Sequence, residues 1–397
     1  MAELKISNVE IYQLGEPAKA GSATWAGNSI ILKLTTSNGL VGWGEAVPTL
    51  RVQPVIQSLH EVARVYKDKD PLDVEKNLHE WHKQDFYMPV SFDSTTAASA
   101  FDIACWDIIG KHYGAPIHDL IGGTFRDKIR HYSNGWYDNC VTPEQFAEKA
   151  KQFQQMGYTG LKFDVFGSYY DYIDEKGLEL AYSRTKAVRD ATAGSVELMI
   201  EHHGRFNPNS AIMIARALRE FNPLFMEEPV HPENFQGLKK YRETAPEVRV
   251  ALGERLLSIE QVAYVLKNNL CDFLQVDITN IGGVTEAHKA CAIAESFGVE
   301  MAFHNAFGPI QNAVTIQLDA AIPNFLIQES FYDVFPEWKR ELVRNETKVV
   351  NGHTAVPDKP GLGVDVDEKV LDAHKAEGME YFNPDEPVWV MKNTWRS

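Results

Sequence analysis

The chain has 397 residues, more than one small domain needs and enough for a barrel of about 250 residues with a second module. Apolar residues make up 44% and charged residues 24%, a balance that excludes a disordered or fibrous chain. With 39 Lys and Arg against 55 Asp and Glu the net charge is −16, so a nucleic-acid partner is not expected, and an anionic substrate would need a local positive charge or a metal to overcome the background field.

The N-terminus, MAELKISNVEIYQLGE, alternates as a strand does and lacks the charged start and apolar core of a signal peptide. No window approaches the roughly 18 consecutive apolar residues of a membrane helix. A cytoplasmic location with no membrane partner is the expectation. The stretches KISNVEIYQL and SIILKLTTSNGLVGWGEA alternate too, with a turn at Ser37-Asn38-Gly39, which predicts a small antiparallel sheet. Residues 53 to 121 take up helical spacing. In STTAASAFDIACWDIIGKHYG, Ala97, Phe101, Ala104, Cys105 and Ile108 share one face, with Ser94 or Thr95 as the expected cap and Gly114 as the expected end. Strands followed by helices predict an α+β domain over 1–128. Cys105, Cys140, Cys271 and Cys291 are scattered with no CxxC spacing, as buried free thiols would be.

From about residue 129 short apolar strands alternate with helix-length segments: KIRHYSN, GLKFD, VELMIE, LFMEE, VALGE, DFLQVD, EMAFH and FLIQE. Eight such units predict an α/β fold, a parallel (β/α)8 TIM barrel over 129–335 capped by the N-terminal α+β domain. The Pro-, Gly- and Asp-rich segment 336–397 contains no ninth unit and is expected to pack back onto the first domain.

The strands end, in chain order, in Lys162 and Asp164, Glu201 and His203, Glu227, Glu254, Asp277, His304 and Glu329. Subtracting residue numbers from Glu201 onward gives spacings of 26, 27, 23, 27 and 25, one ionisable group per βα unit. In a closed barrel those strand ends share one face and form one pocket. Glu201, Glu227 and Glu254 on successive strands would repel one another without a cation, and a hard divalent ion such as Mg2+ suits an all-oxygen site with open positions. Asp277 and His304 end adjacent strands, so the carboxylate can set the imidazole's tautomer and raise its basicity. Glu329 could hydrogen-bond, as the protonated acid, to an oxygen that gains charge. His203 is placed across the ring of strands from His304, as a second acid/base group. Lys162 and Asp164 point the same way, the lysine to offset the carboxylates and the aspartate to accept from substrate hydroxyls. Arg205 either clamps substrate or pairs with an acid. His202, between two inward residues, faces away and is structural.

Taken together, GLVGWGEA, SAFDIACWDIIGK running into LIGG, LMIEHHGR, MEEPV, ALGE, VDITNIGGVTEA, FHNAFGP and IQES resemble the enolase superfamily, mandelate racemase subgroup, over nearly the whole chain. The resemblance implies that the first domain supplies specificity through loops around residues 15 to 28, with Trp25 against substrate, and around Thr49 to Gln53. It assigns the metal ligands to Glu201, Glu227 and Glu254, the dyad to Asp277 and His304, and the oxyanion-side acid to Glu329. The first ligand is more often aspartate in this subgroup. A second departure is Lys162-Phe163-Asp164, where racemases and several acid-sugar dehydratases carry Lys-x-Lys with the second lysine as base. EHHGR instead resembles the Asp-x-His-x-Arg stretch of galactonate and related aldonate dehydratases.

These readings converge on a Mg2+-dependent sugar-acid dehydratase, a hydro-lyase, and the resemblance implies a homo-oligomer. It would act on an aldonate such as gluconate, galactonate or a pentonate. His304 would take the proton alpha to the carboxylate, and His203 would protonate the departing 3-hydroxyl to give a 2-keto-3-deoxy acid. Racemisation, epimerisation or lactone cycloisomerisation shares the first half and is told apart by isotope exchange without loss of water. A glycoside hydrolase on the same barrel predicts activity that survives EDTA. A non-catalytic sugar-acid binder would have no use for an aligned base.

Overall fold

The computed structural model describes residues 4–15, 27–48, 52–84, 90–344 and 347–379. Strands β1 (Ile6–Gly15), β2 (Asn28–Thr36) and β3 (Val41–Ala46) form an antiparallel sheet in that order, with the Ser37-Asn38-Gly39 turn joining β2 and β3. Helices α1 (Val52–Tyr66), α2 (Val74–Gln84) and α3 (Phe92–Tyr113) cover it. Leu32, Leu34, Val55, Leu59, Phe101 and Ala104 lie in the shared core. Gly114 ends α3 as expected, in the left-handed region with its N–H on Gly110 O. The start differs: Ser91, extended and without a side-chain cap bond, precedes the helix, while Ser94 and Thr95 are buried inside its first turn. Phe92 packs on the domain core and Asp93 complements the helix dipole, which moves the start forward.

All eight expected barrel strands are present: β4 (Lys128–Ser133), β5 (Gly160–Phe163), β6 (Glu197–Glu201), β7 (Phe225–Glu227), β8 (Val250–Leu252), β9 (Phe273–Leu274), β10 (Glu300–Met301) and β11 (Gln328–Ser330). They pair in parallel in chain order, β11 returns to pair with β4, and a parallel bridge from Met301 to Phe325 links β10 to the approach of β11. The chain then adds β12 (His353–Ala355) antiparallel to β4. It reaches the first domain through the Leu14–Lys375 bridge and the Lys33–Glu368 ion pair. Among the described residues no helix is long and apolar enough to cross a membrane.

The barrel interior explains where the polar groups go. Tyr132, Met199, Phe225, Ala251 and Phe273, one from each of five strands, form a buried cluster with Ala302, just after β10, and Ile327, just before β11. Side chains on a strand repeat direction every two residues, so the next inward layer is Asn134, Lys162, Glu201, Glu227, Gly253, Gln275, His304 and Glu329. An apolar plug thus forms the floor of a polar pocket.

Candidate active site

Glu201 and Glu227 are register partners on β6 and β7, and Glu254 follows β8. One carboxylate oxygen from each lies within 4.8 Å of the other two, an arrangement that could hold a metal ion. Lys162, 1% exposed, enters the cluster from β5 with Nζ 2.6 Å from Glu227, 2.8 Å from Glu329 and 3.2 Å from Glu201. Gln275 donates to the second oxygen of Glu227 at 2.7 Å. Even so, burial and the charge of Glu201 push the Glu227 carboxyl well above the usual range. One lysine does not neutralise this much buried charge; a divalent cation would.

At the Glu254 end stands His304. Its Nδ1 lies 2.7 Å from Asp277 Oδ2, which fixes Nε2 as the pocket-facing atom, 3.6 Å from Glu254. Burial works against the imidazolium, but Glu254 and Asp277 outweigh it and push the imidazole up to about 9; a cation held by Glu254 would cancel much of that rise and return His304 towards the free base. Asp277 is itself held: Thr279 donates to Oδ1 through its N–H at 2.7 Å and its hydroxyl at 2.5 Å, and Gln311 Nε2 donates to Oδ2 at 2.9 Å.

At the Glu201 end the chain turns sharply through His203 (φ 52°) and Gly204 (φ 61°). The His203 N–H donates to Glu201 at 2.6 Å, and its ring Nδ1 lies 3.0 Å from Asp164 Oδ2. Asp164 Oδ1 accepts from Arg205 at 2.7 Å and from the Phe166 N–H at 2.9 Å. Although burial opposes it, Arg205 and His203 hold the Asp164 carboxyl below its ordinary range. Of the two roles left open for Arg205, the geometry gives pairing with an acid. Asp164 thus orients both His203 and Arg205, through Oδ2 and Oδ1 respectively. His202 faces away, buried with Nδ1 3.1 Å from Glu227 O and its ring against Phe166, and burial lowers it to about 4, so it is neutral.

Glu329 sits among hydrogen-bond donors. Asn134 donates to one oxygen at 2.8 Å, the Asn305 N–H to the other at 2.9 Å, and Lys162 adds its charge. Burial opposes ionisation, yet Lys162 and His304 hold the carboxyl below its usual range. Trp25 and Thr49 to Arg51 lie outside the described residues. Asn134, Gln275, Asn305, Thr279 and Gln311 escaped the sequence reading. For the first two a signal existed: Asn134 follows Tyr132 on β4, and Gln275 precedes Asp277, by the two-residue strand period.

Residues 5–122 match the family model for the mandelate racemase / muconate lactonizing enzyme N-terminal domain, and residues 145–370 match that for the enolase C-terminal domain-like family. A protein named D-gluconate/D-galactonate dehydratase from Picrophilus torridus is 46% identical, over 98% of this chain and 99% of its own length. A D-gluconate dehydratase from Thermoproteus tenax is 45% identical, over 94% of this chain and 75% of its own. Among solved structures, a mandelate racemase/muconate lactonizing enzyme from a Sulfitobacter species superposes with TM-score 0.87 at 30% identity, covering 95% of this chain and 97% of that one. A member of the enolase superfamily from Salmonella Typhimurium gives 0.86 at 28% identity, over 93% and 98%.

Proposed function

The chain belongs to the mandelate racemase / muconate lactonizing enzyme family of the enolase superfamily, and from that premise we propose that it is a sugar-acid dehydratase, a hydro-lyase acting on an aldonate of the gluconate or galactonate type. The single observation that carries elimination over racemisation is His203. Lys-x-Lys is absent, and a histidine oriented by Asp164 stands at the Glu201 end of the carboxylate cluster while the His304–Asp277 dyad stands at the Glu254 end.

Family membership implies a divalent metal, which we assign as Mg2+ held by Glu201, Glu227 and Glu254, since three hard oxygen donors around an excess of buried negative charge fit it. When bound it supplies the positive charge that acidifies the C–H beside a carboxylate and offsets charge developing on its oxygens. His304, with Nδ1 committed to Asp277, receives the C2 proton on Nε2. His203, with Nδ1 committed to Asp164, gives its Nε2 proton to the 3-hydroxyl as the C3–O bond breaks. Water leaves, and the enol tautomerises to the 2-keto-3-deoxy acid. Lys162 ties Glu201, Glu227 and Glu329 into one cluster, and Glu329 in turn anchors Lys162 and the Asn305 backbone beside His304. Trp25 is proposed as a substrate contact. A cytoplasmic homo-oligomer is the cellular form we propose, and the four free cysteines suit a reducing compartment.

Incubation of the purified protein with Mg2+ and a panel of aldonates and aldarates, reading 2-keto acid as its semicarbazone, tests this. Gluconate or galactonate should turn over, with activity abolished by EDTA and restored by Mg2+. His304→Asn should lower kcat at least about 100-fold. EDTA-resistant turnover would overturn the reading.

A further inference from the structure

The barrel helices differ in how they begin. Helices Pro143–Gln155, Glu175–Ala191, Pro208–Leu218, Phe235–Thr244 and Ile259–Lys267 are capped by their own Thr142, Asp174, Asn207, Asn234 and Ser258. The two that follow the strands leading to Asp277 and His304 have glycine instead, Gly282 before Gly283–Ser296 and Gly308 before Pro309–Ala321, with no side-chain cap of their own.

Both receive their acceptors from the other domain. Asp102 on α3 accepts from the Thr285 N–H at 3.1 Å and the Thr285 hydroxyl at 2.5 Å. Glu45 on β3 accepts from the Ile310 N–H at 3.1 Å and the Gln311 N–H at 3.0 Å. Each approach depends on a missing side chain, since a Cβ on Gly283 would lie 2.2 Å from Asp102 Oδ1 and one on Gly308 would lie 1.8 Å from Glu45 Oε1. Lys339, fully buried, donates to Phe307 O at 2.5 Å and closes the Glu45 node from the C-terminal segment.

Gln311 connects that node to the chemistry. Its backbone N–H is held by Glu45, its Oε1 accepts from the Phe307 N–H at 2.7 Å, and its Nε2 donates to Asp277 Oδ2, the oxygen that also meets His304 Nδ1. We propose that Gln311 is a positioning residue for the His304–Asp277 dyad, and that Glu45 of the capping domain holds Gln311 in register, so the docked capping domain sets the orientation of the base.

The kinetic readout rests on the dehydratase reading; the spectroscopic one does not. Gln311→Leu removes every side-chain bond of Gln311, whereas Gln311→Glu keeps the acceptor for Phe307 but removes the donor to Asp277. Glu45→Gln keeps an acceptor at the helix start and tests the node. In each folded variant, checked by circular dichroism and melting, the proton on the His304 Nδ1–Asp277 hydrogen bond is followed in 15N-histidine-labelled full-length protein, identified by its loss in His304→Asn. The expected result is a shifted or exchange-broadened signal in both Gln311 variants and a smaller change in Glu45→Gln. With a turned-over aldonate, kcat should fall at least about tenfold in both Gln311 variants with KM nearly unchanged, and the primary isotope effect on C2-deuterated substrate should rise. A fall in kcat with an unchanged isotope effect would mean fewer active molecules, and an unchanged signal, or rescue by Gln311→Glu, would overturn the proposal. A parent protein that turns over no aldonate would count against the dehydratase reading while the signal still decides the role of Gln311.

Discussion

Histidine is the residue whose role here depends most on its partner. His202, His203 and His304 share one side chain, yet burial against Phe166 keeps the first neutral, Asp164 orients the second and Asp277 the third. A carboxylate that fixes a tautomer does so only while it can accept the Nδ1–H. Asp164→Asn should therefore leave abstraction of the C2 proton in place and slow dehydration about 100-fold, seen as hydrogen exchange at C2 outpacing 2-keto acid release. Equal loss of both rates would show that Asp164 merely supports the pocket. The ionisable groups at the strand ends were legible because polar residues after apolar strands recur once per barrel unit. Their protonation was not. Glu329 looks the same in sequence whatever surrounds it, and the donors that converge on it, Asn134, the Asn305 N–H and Lys162, come from distant parts of the chain.

At the scale of elements, the two glycine-started helices trade self-capping for caps supplied across the domain boundary. That exchange has a pH signature at Asp102. Burial pushes its carboxyl from 3.8 up to about 7 in the folded protein, so between those values the native state keeps a proton that the unfolded chain releases. Stability is thus fullest near pH 4, declines as pH rises towards 7, and then levels. Asp102→Asn, which still offers an oxygen to Thr285, should remove this component: its melting temperature relative to the parent should rise from pH 5 to about pH 7 and then level towards pH 8. A constant offset across that range would contradict the assignment. All eight strands were readable from apolar runs and spacing, whereas the start of α3 was misplaced because Ser94 and Thr95 resemble caps locally and only packing of Phe92 shows that the helix begins earlier. The caps from Glu45 and Asp102 could not be read at all, since they pair residues 265 and 183 positions apart along the chain.

For the molecule as a whole, an apolar plug in the barrel supports a ring of charged side chains, and a second domain docks over the helices behind the base. The net charge of −16 would disfavour an anionic substrate by itself. A divalent cation among Glu201, Glu227 and Glu254, with Lys162 beside it, would offset most of that negative charge locally. The same architecture serves proton transfer alone or proton transfer followed by loss of a hydroxyl, and His203 decides between them in our account. The most direct measurement is His203→Asn incubated with Mg2+ and gluconate or galactonate in D2O, following deuterium at C2 and 2-keto acid together. Continued deuterium entry with dehydration slowed at least about 100-fold is the predicted result; dehydration at the parent rate would contradict it.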